Sequence, residues 1–357
     1  MNYFGLIMAG GDGTRFWPLS RHNRPKHLLN LTGNGYMINE AIDRMATVMD
    51  RDHIMIITNA AQAEATDEIV RDRIRGDHIL LEPAARNTAA CIAYAAMKIH
   101  REHGDSVMLI TPADHYIRDV GRLTAVFEKV ISKAASGDKL ITIGIQPTFP
   151  ATGYGYIRTG QTEDGFCQVL QFREKPDRET AEAYLRSGEY LWNSGIFAWR
   201  TGMILDRIHQ YAPDIYDAVA EICDAAGTDE ADRKMREVYP TIRKISIDYA
   251  VMEPAASQDD VLVIPGDFGW SDIGSWETLE AVCPVDEHHN VVRGETLLQN
   301  VNNSIICSNG RLIAAADVDN LVIVETDDAI MICPREKAQE VRNMVSLLKE
   351  NGRMDLI

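Results

Sequence analysis

The sequence predicts an α/β fold: a mostly parallel sheet with helices on both faces, followed by a small β-rich unit. Three observations predict it. Strand-length apolar runs alternate with helix-length amphipathic segments over the first 110 residues, the pattern of βαβ units. The first of these runs, Tyr3–Ala9, leads directly into three glycines within four residues, Gly10, Gly11 and Gly13. Beyond Asn290 the helical spacing gives way to short β segments separated by Asn, Gly and Asp turns.

In order, the run to Ala9 is the first strand, and Met37–Met49 has helical apolar spacing. Residues 53–57 form a short buried strand, 61–74 a helix, 79–81 a strand, 88–103 a long helix and 107–110 a strand. Parallel strands joined by helices bind ligands beyond their carboxyl ends. The glycine loop, Glu82-Pro83 and Thr111-Pro112-Ala113-Asp114 all fall at such ends, so three separate segments point to one crevice. Charge-rich helices fill 201–253, and residues 261–265 make another strand. The texture changes near Pro284, which divides the chain into residues 1–284 and 285–357. In the second part, segments at 296–298, 304–307, 312–314, 321–324 and 330–332 are evenly spaced, as in a stacked β unit or a turn or two of β-helix. Pro334 then opens an amphipathic closing helix to about Lys349.

Composition narrows the function. The 357 residues carry a net charge of −17, which argues against nucleic acid or a membrane surface as partner. The six cysteines are scattered without a Cys-x-x-Cys, so reduced thiols in the cytoplasm are expected. Residues 1–9 lack the basic start of a signal peptide, and no apolar run is long enough to span a bilayer.

The loop after the first strand is built to hold phosphates. Glycines let backbone N–H groups converge on an anion without a Cβ in the way. Arg15 offers a bidentate phosphate contact, and Lys26, eleven residues later, a compact charge. The Gly-Lys-Ser/Thr ending of a Walker loop is missing, because the residues here are Gly13-Thr14-Arg15. Pro18 and Pro25 forbid the helix that a dinucleotide fingerprint needs. What remains, Gly-Gly-x-Gly-Thr-Arg-Phe-x-Pro-Leu with a later Pro-Lys, resembles the signature of the sugar-1-phosphate nucleotidylyltransferases.

Other segments extend the resemblance over nearly the whole chain. Glu82-Pro83-Ala84-Ala85-Arg86-Asn87-Thr88-Ala89 is similar to the guanine-specific branch, the mannose-1-phosphate guanylyltransferases, although Asn87 or Thr88 is also a plausible N-cap. The resemblance implies a Rossmann-like nucleotidyltransferase domain with a C-terminal β-helix-like domain that helps form homodimers. It implies nucleotide contacts from Met8, Ala9, Gly10, Gly11, Gly13, Thr14, Arg15, Glu82, Pro83, Arg86, Asn87, Thr88 and Asp114.

Three further segments, around Gly153-Tyr154-Gly155, Glu174-Lys175 and Asn193-Ser194-Gly195, match the family's sugar-phosphate motifs in order and spacing. Singly, each has an ordinary explanation as a hairpin turn, a strand-end charge pair or a β-bulge. Asp114 at a strand end and Asp272 in Trp270-Ser271-Asp272 are implied as metal carboxylates, for Mg²⁺ or another divalent cation. Alternative structural roles are a turn for Asp114 and a helix cap for Ser271 or Asp272. His115 reads equally as structural, and Asp248, which could cap or orient its neighbours, reads as structural slightly ahead of catalytic. Arg15, Lys26, Asp114 and Asp272 are the implied catalytic set, and the implied reaction joins GTP and mannose 1-phosphate into GDP-mannose and pyrophosphate. The alternatives are another sugar nucleotidylyltransferase, using glucose 1-phosphate or a pyrimidine nucleotide, or a non-catalytic GDP-sugar-binding regulator. Ending at Ile357, the sequence is expected to lack the isomerase domain of the long bifunctional members.

Overall fold

A computed structural model describes residues 1–11 and 13–357. The predicted alternation is present in β1 (Tyr3–Ala9), α1 (Met37–Met45), β2 (Ile54–Asn59), α2 (Ala63–Val70), β3 (Ile79–Glu82), α3 (Asn87–His103) and β4 (Val107–Pro112). The short strand β5 (Tyr116–Ile117) leads to α4 (Val120–Ser136) and β6 (Leu140–Ile145). A hairpin of β7 (Tyr156–Glu163) and β8 (Phe166–Arg173) follows, then α5 (Arg178–Ser187) and the eleven-residue β9 (Tyr190–Arg200). Helices α6 (Thr201–Tyr211), α7 (Pro213–Asp224) and α8 (Ala231–Val238) precede a π-helical turn at Asp248–Met252, which runs into α9 (Glu253–Ala256). The domain closes with β10 (Val261–Gly266) and β11 (Trp270–Ser271).

Nine strands form one sheet in the order β3-β2-β1-β4-β9-β6-β10-β8-β7. β1 pairs in parallel with β2 and β4, β2 with β3, and β6 with β10. Only β8 and β9 run against the rest, and β9 sits between β4 and β6. Continuous apolar runs such as Leu6-Ile7 are buried because helices cover both sheet faces. One face packs on α3, α6 and α7 through residues such as Phe197, Trp199 and Val219. The other packs on α1 and α4 through residues such as Ile42 and Phe127. Register sets the parallel carboxyl ends side by side: Met8 faces Pro112, Ala9 faces Thr58, and Asn59 faces Glu82. That shared edge is where the crevice lies.

The second unit is a stack of parallel rungs. β12 (Val291–Arg293), β14 (Ile305–Cys307) and β16 (Leu321–Glu325) make one parallel face, closed by antiparallel β17 (Ile330–Pro334). β13 (Thr296–Asn302) and β15 (Ile313–Asp319) make the other, with Thr296 opposite Ile313. Corner residues Asn300, Asn303, Asp317 and Asn320 have positive φ, which Asn and Asp tolerate best among residues with a Cβ. The side chains of Asn300 and Asn302 donate to Asp317 and Asp319, each at 2.8 Å, and tie one rung to the next. A 3₁₀ segment, Arg335–Glu340, and then α10 (Val341–Glu350) close the chain, so the expected tail helix begins later than Pro334.

The two units share a core. Phe16, Trp17, Leu31, Ile273 and Trp276 pack with Val291, Ile305, Val322, Val341 and Val345. The Trp17 indole donates to the Leu356 carbonyl at 2.8 Å, and Arg21 pairs with Asp328 at 2.7 Å. Among the described residues no helix is long and apolar enough to cross a membrane.

Candidate active site

Two adjoining cavities open at the carboxyl edge of the sheet, of about 370 and 210 Å³, and they share His115 and Asp272. The first is lined by Gly10, Gly11, Gly13, Thr14, Arg15, Lys26, Asp114 and Asp272. Gly13 has φ +59°, and a Cβ there would meet Pro25 Cα at 2.6 Å, so only glycine fits the turn. At Gly10 and Gly11 a Cβ would meet nothing within 4 Å, leaving their backbone open to an incoming anion. Arg15 is exposed and makes no ion pair among the described residues.

Lys26 is nearly buried and ties the acidic pair together. Its Nζ donates to Asp114 Oδ2 at 3.0 Å and also to the backbone carbonyl of Asp272. Asp114 therefore has a side-chain partner across the crevice, where a turn aspartate would bond its own backbone. Burial would raise its carboxyl, but the Lys26 charge and hydrogen bond outweigh it and hold the group well below the usual carboxylate range. Asp272 Oδ1 accepts from the Tyr154 hydroxyl at 2.6 Å. The cap of the following 3₁₀ turn is Ser275, in a capping box with Thr278, so Asp272 is free of that task. Ser271 Oγ instead accepts from the Ile273 N–H.

The second cavity gathers the predicted sugar-side residues: Gly153, Tyr154, Gly155, Glu174, Asn193, Ser194 and Gly195, with Met8 and Thr88. A Cβ at Gly155 would lie 2.6 Å from Glu174 Oε2 and 3.2 Å from Asn193 Cβ, so glycine lets three strand ends converge. Gly195 has φ +72° beside the register shift of β6 against β9, the expected bulge. Asp248 Oδ1 accepts from Asn193 Nδ2 at 2.9 Å, and Asn193 Oδ1 accepts from Thr142 Oγ at 3.0 Å, which fixes the amide orientation. Burial and the nearby Glu174 push the Asp248 carboxyl up to about 7. Ser194 is buried and donates to the Ile143 carbonyl at 2.7 Å.

Other predicted residues lie away from both linings. Ala9 is buried at the end of β1. Glu82 is buried and accepts from the Tyr239 hydroxyl, and burial raises its carboxyl to about 7. Arg86 donates to the Pro240 carbonyl. Neither it nor Pro83 nor Asn87 lines either of these two cavities. Asn87 has φ +67°, with its Oδ1 on the Thr88 N–H at 2.8 Å, so it makes no N-cap bond. The Thr88 hydroxyl accepts from the Ile247 N–H at 2.8 Å and braces the π-helical turn. Lys175, exposed, pairs with Glu174 at 2.8 Å.

Residues 4–288 match the family model described as Nucleotidyl transferase. The chain belongs to the nucleotidyl transferase family. Residues 294–348 of this nucleotidyl transferase match the MannoseP isomerase/GMP-like beta-helix domain. The chain is 40% identical to the mannose-1-phosphate guanylyltransferase of Klebsiella pneumoniae, over 98% of this chain and 74% of that protein. It is also 40% identical to the xanthan biosynthesis protein XanB of Xanthomonas campestris pv. campestris, with the same coverage. The crystal structure of the protein named mannose-1-phosphate geranyltransferase, from Thermus thermophilus, superimposes with a TM-score of 0.87 at 31% identity. That match covers 98% of this chain and 100% of the other.

Several residues of this nucleotidyl transferase support the site without any local signal in the sequence. Buried Gln62 donates to the Gly11 and His22 carbonyls at 3.0 and 3.3 Å, anchoring the glycine loop from the far side. The Trp270 indole donates to His115 Nδ1 at 3.1 Å, and burial lowers that imidazole to about 4, so it is neutral and oriented. Burial likewise lowers His27 to about 4. Among the described residues no three His, Cys, Asp or Glu side chains cluster as a ready-made metal site. Asp114 and Asp272 alone suit a hard dication that takes its remaining ligands from phosphate oxygens and water.

Proposed function

We propose that this enzyme transfers GMP from GTP to α-D-mannose 1-phosphate, giving GDP-mannose and pyrophosphate. The observation that carries the reading is the pair of joined cavities: a glycine-and-cation cradle opens into a sugar-sized pocket across Asp272. Near-full-length similarity to proteins named mannose-1-phosphate guanylyltransferase supports the choice of substrates. The sugar phosphate oxygen is already ionised at pH 7, so the reaction needs no general base. Its bond to the α-phosphorus forms as the bond to the bridging oxygen breaks, and that electron pair leaves with pyrophosphate. Two unit charges 4 Å apart repel by roughly 4 kcal/mol at an effective dielectric of 20, so the residues' task is positioning and neutralisation.

In this proposal the Gly10–Gly13 backbone and Arg15 hold the leaving phosphates, and Lys26 neutralises the α-phosphate. Mg²⁺ on Asp114 and Asp272 would supply charge neutralisation of the phosphoryl oxygens when bound. Asn193, held by Asp248, and Glu174 would orient sugar hydroxyls, with Lys175 near the sugar phosphate. The segment Glu82–Thr88 is proposed to face the guanine. We also propose residues 1–284 as catalytic unit, 285–357 as β-helix-like domain, a cytoplasmic location and a homodimer through the second unit. Exposed Leu297, Leu312, Ile330 and Ile332 on that unit support the pairing.

A pyrophosphate-release assay of four nucleoside triphosphates against several sugar 1-phosphates tests the reaction. GTP with mannose 1-phosphate is expected to be used far better than UTP, dTTP or ATP. Equal or better turnover with UTP or dTTP would sink the guanylyl assignment.

A further inference from the structure

One residue of the phosphate cavity comes from the far end of the chain. Arg342, in the first turn of α10, lines the cavity with the glycine loop, Arg15 and Lys26. Every other lining residue precedes position 273. The placement is built. Val341 and Val345 of α10 are buried in the shared core with Phe16, and α10 packs against the Thr14–Phe16 turn that carries Arg15. The backbone of residue 342 is therefore fixed beside the loop, while its side chain stays exposed.

The charge is uncommitted. Among the described residues the Arg342 guanidinium has no hydrogen bond or ion pair. Other arginines of the second unit are committed: Arg335 to Glu280, Arg353 to Asp355 and Arg293 to the Leu31 carbonyl. Within the cavity Lys26 is engaged by Asp114. Arg15 and Arg342 thus remain as two positive side chains facing one space, in a molecule of net charge −17. Partial burial and then Arg15 lower the Arg342 guanidinium, the pattern expected where cations gather before their anion arrives.

We propose that Arg342 binds the β- and γ-phosphates of the nucleotide, and hence the departing pyrophosphate, as a cation that the β-helix-like unit supplies to the catalytic crevice. The proposal rests on the reading of the reaction given above and adds a binding residue to it. The sugar side is the wrong place for this group, because Arg342 does not line the second cavity. Guanidinium is suited to the role, since its fork matches phosphate oxygens bidentately. It would bear charge on the β- and γ-oxygens as the electron pair of the broken α–β bridge moves onto pyrophosphate.

Arg342→Gln and Arg342→Lys in the full chain test this. Calorimetry with inorganic pyrophosphate and with GMP, and steady-state kinetics in GTP and in mannose 1-phosphate, are the readouts. Arg342→Gln is expected to weaken pyrophosphate binding and raise KM for GTP about tenfold, the loss of one charge-assisted contact. GMP affinity, KM for mannose 1-phosphate and Tm stay at the parent's values, and Arg342→Lys recovers part of the loss. Parent-like pyrophosphate affinity in Arg342→Gln would overturn the proposal, as would a loss confined to mannose 1-phosphate. A parent that binds pyrophosphate through Arg342 but ignores GTP with mannose 1-phosphate would overturn the reaction reading and leave the anion contact standing.

Discussion

Replacing Asp114 by Asn separates a structural aspartate from a metal-holding one. The change keeps volume and removes one negative charge, and its first consequence falls on Lys26. That ammonium, 11% exposed, sits 3.0 Å from Asp114 Oδ2. At an effective dielectric of 20 the attraction is roughly 5 kcal/mol. The Asp114 side chain is 36% exposed, and both partners lose hydration in pairing, so the net loss is nearer ~2 kcal/mol. For a chain of this length that lowers Tm by about 3 °C. Asp114 is held below its ordinary value of 3.8, so its contribution is complete at neutral pH and fades only as pH falls below about 4. The stability gap between parent and variant is therefore flat from about pH 5 to 8. The second consequence falls on turnover. With one of two carboxylates gone, kcat should fall a hundredfold or more, on the order of 3 kcal/mol in the barrier. Thermal unfolding and kinetics over a magnesium titration read both. A variant that turns over like the parent at saturating magnesium would refute the metal role, whatever its Tm.

Glu82 gives the opposite pH signature. Its carboxyl is raised from 4.5 to about 7 by burial, so the unfolded chain releases this proton first as pH rises. Stability then declines between about pH 4.5 and 7, by at most about 3 kcal/mol. Glu82→Gln keeps an acceptor for Tyr239 and removes the decline, so urea unfolding should favour the variant increasingly from about pH 4.5 to 7 and by a constant margin above that; parallel curves would discard the buried-acid account. For the homodimer, light scattering should return twice 39.9 kDa, and Leu297→Lys with Ile332→Lys should return one chain's mass; a parent that is already monomeric ends that reading.

Much of the sheet was legible because strand and helix periodicities are local. Tyr3–Ala9 followed by glycines, and the run at 107–110 followed by Thr111-Pro112-Ala113-Asp114, locate the crevice edge from sequence alone. The reversed direction of β9 was not legible: an apolar strand carries no mark of its orientation. Nor was the π-helical turn at Asp248–Met252, which sequence presents as ordinary helix. Glu82 and Arg86 drew attention as polar residues at a strand end, yet their partners, Tyr239 and Pro240, lie more than 150 residues away. Gln62 and Arg342 were missed for the same reason. A lone glutamine under a loop, or an arginine on a tail helix, becomes informative only once long-range packing places it.

The shared core around Phe16 and Trp276 also orders events in time. The Trp17 indole is bonded to a carbonyl 339 residues later, and the amide of His22 is bonded to the Ile357 carbonyl at 3.1 Å. Closing a loop of that length costs on the order of 5 kcal/mol in chain entropy, so these contacts form only after much else has folded. On the ribosome the phosphate loop emerges well before α10 and must wait for it before its back side is covered. A nascent chain can thus hold a finished sheet while its nucleotide cradle is still open, and the cradle is completed only after synthesis has passed α10.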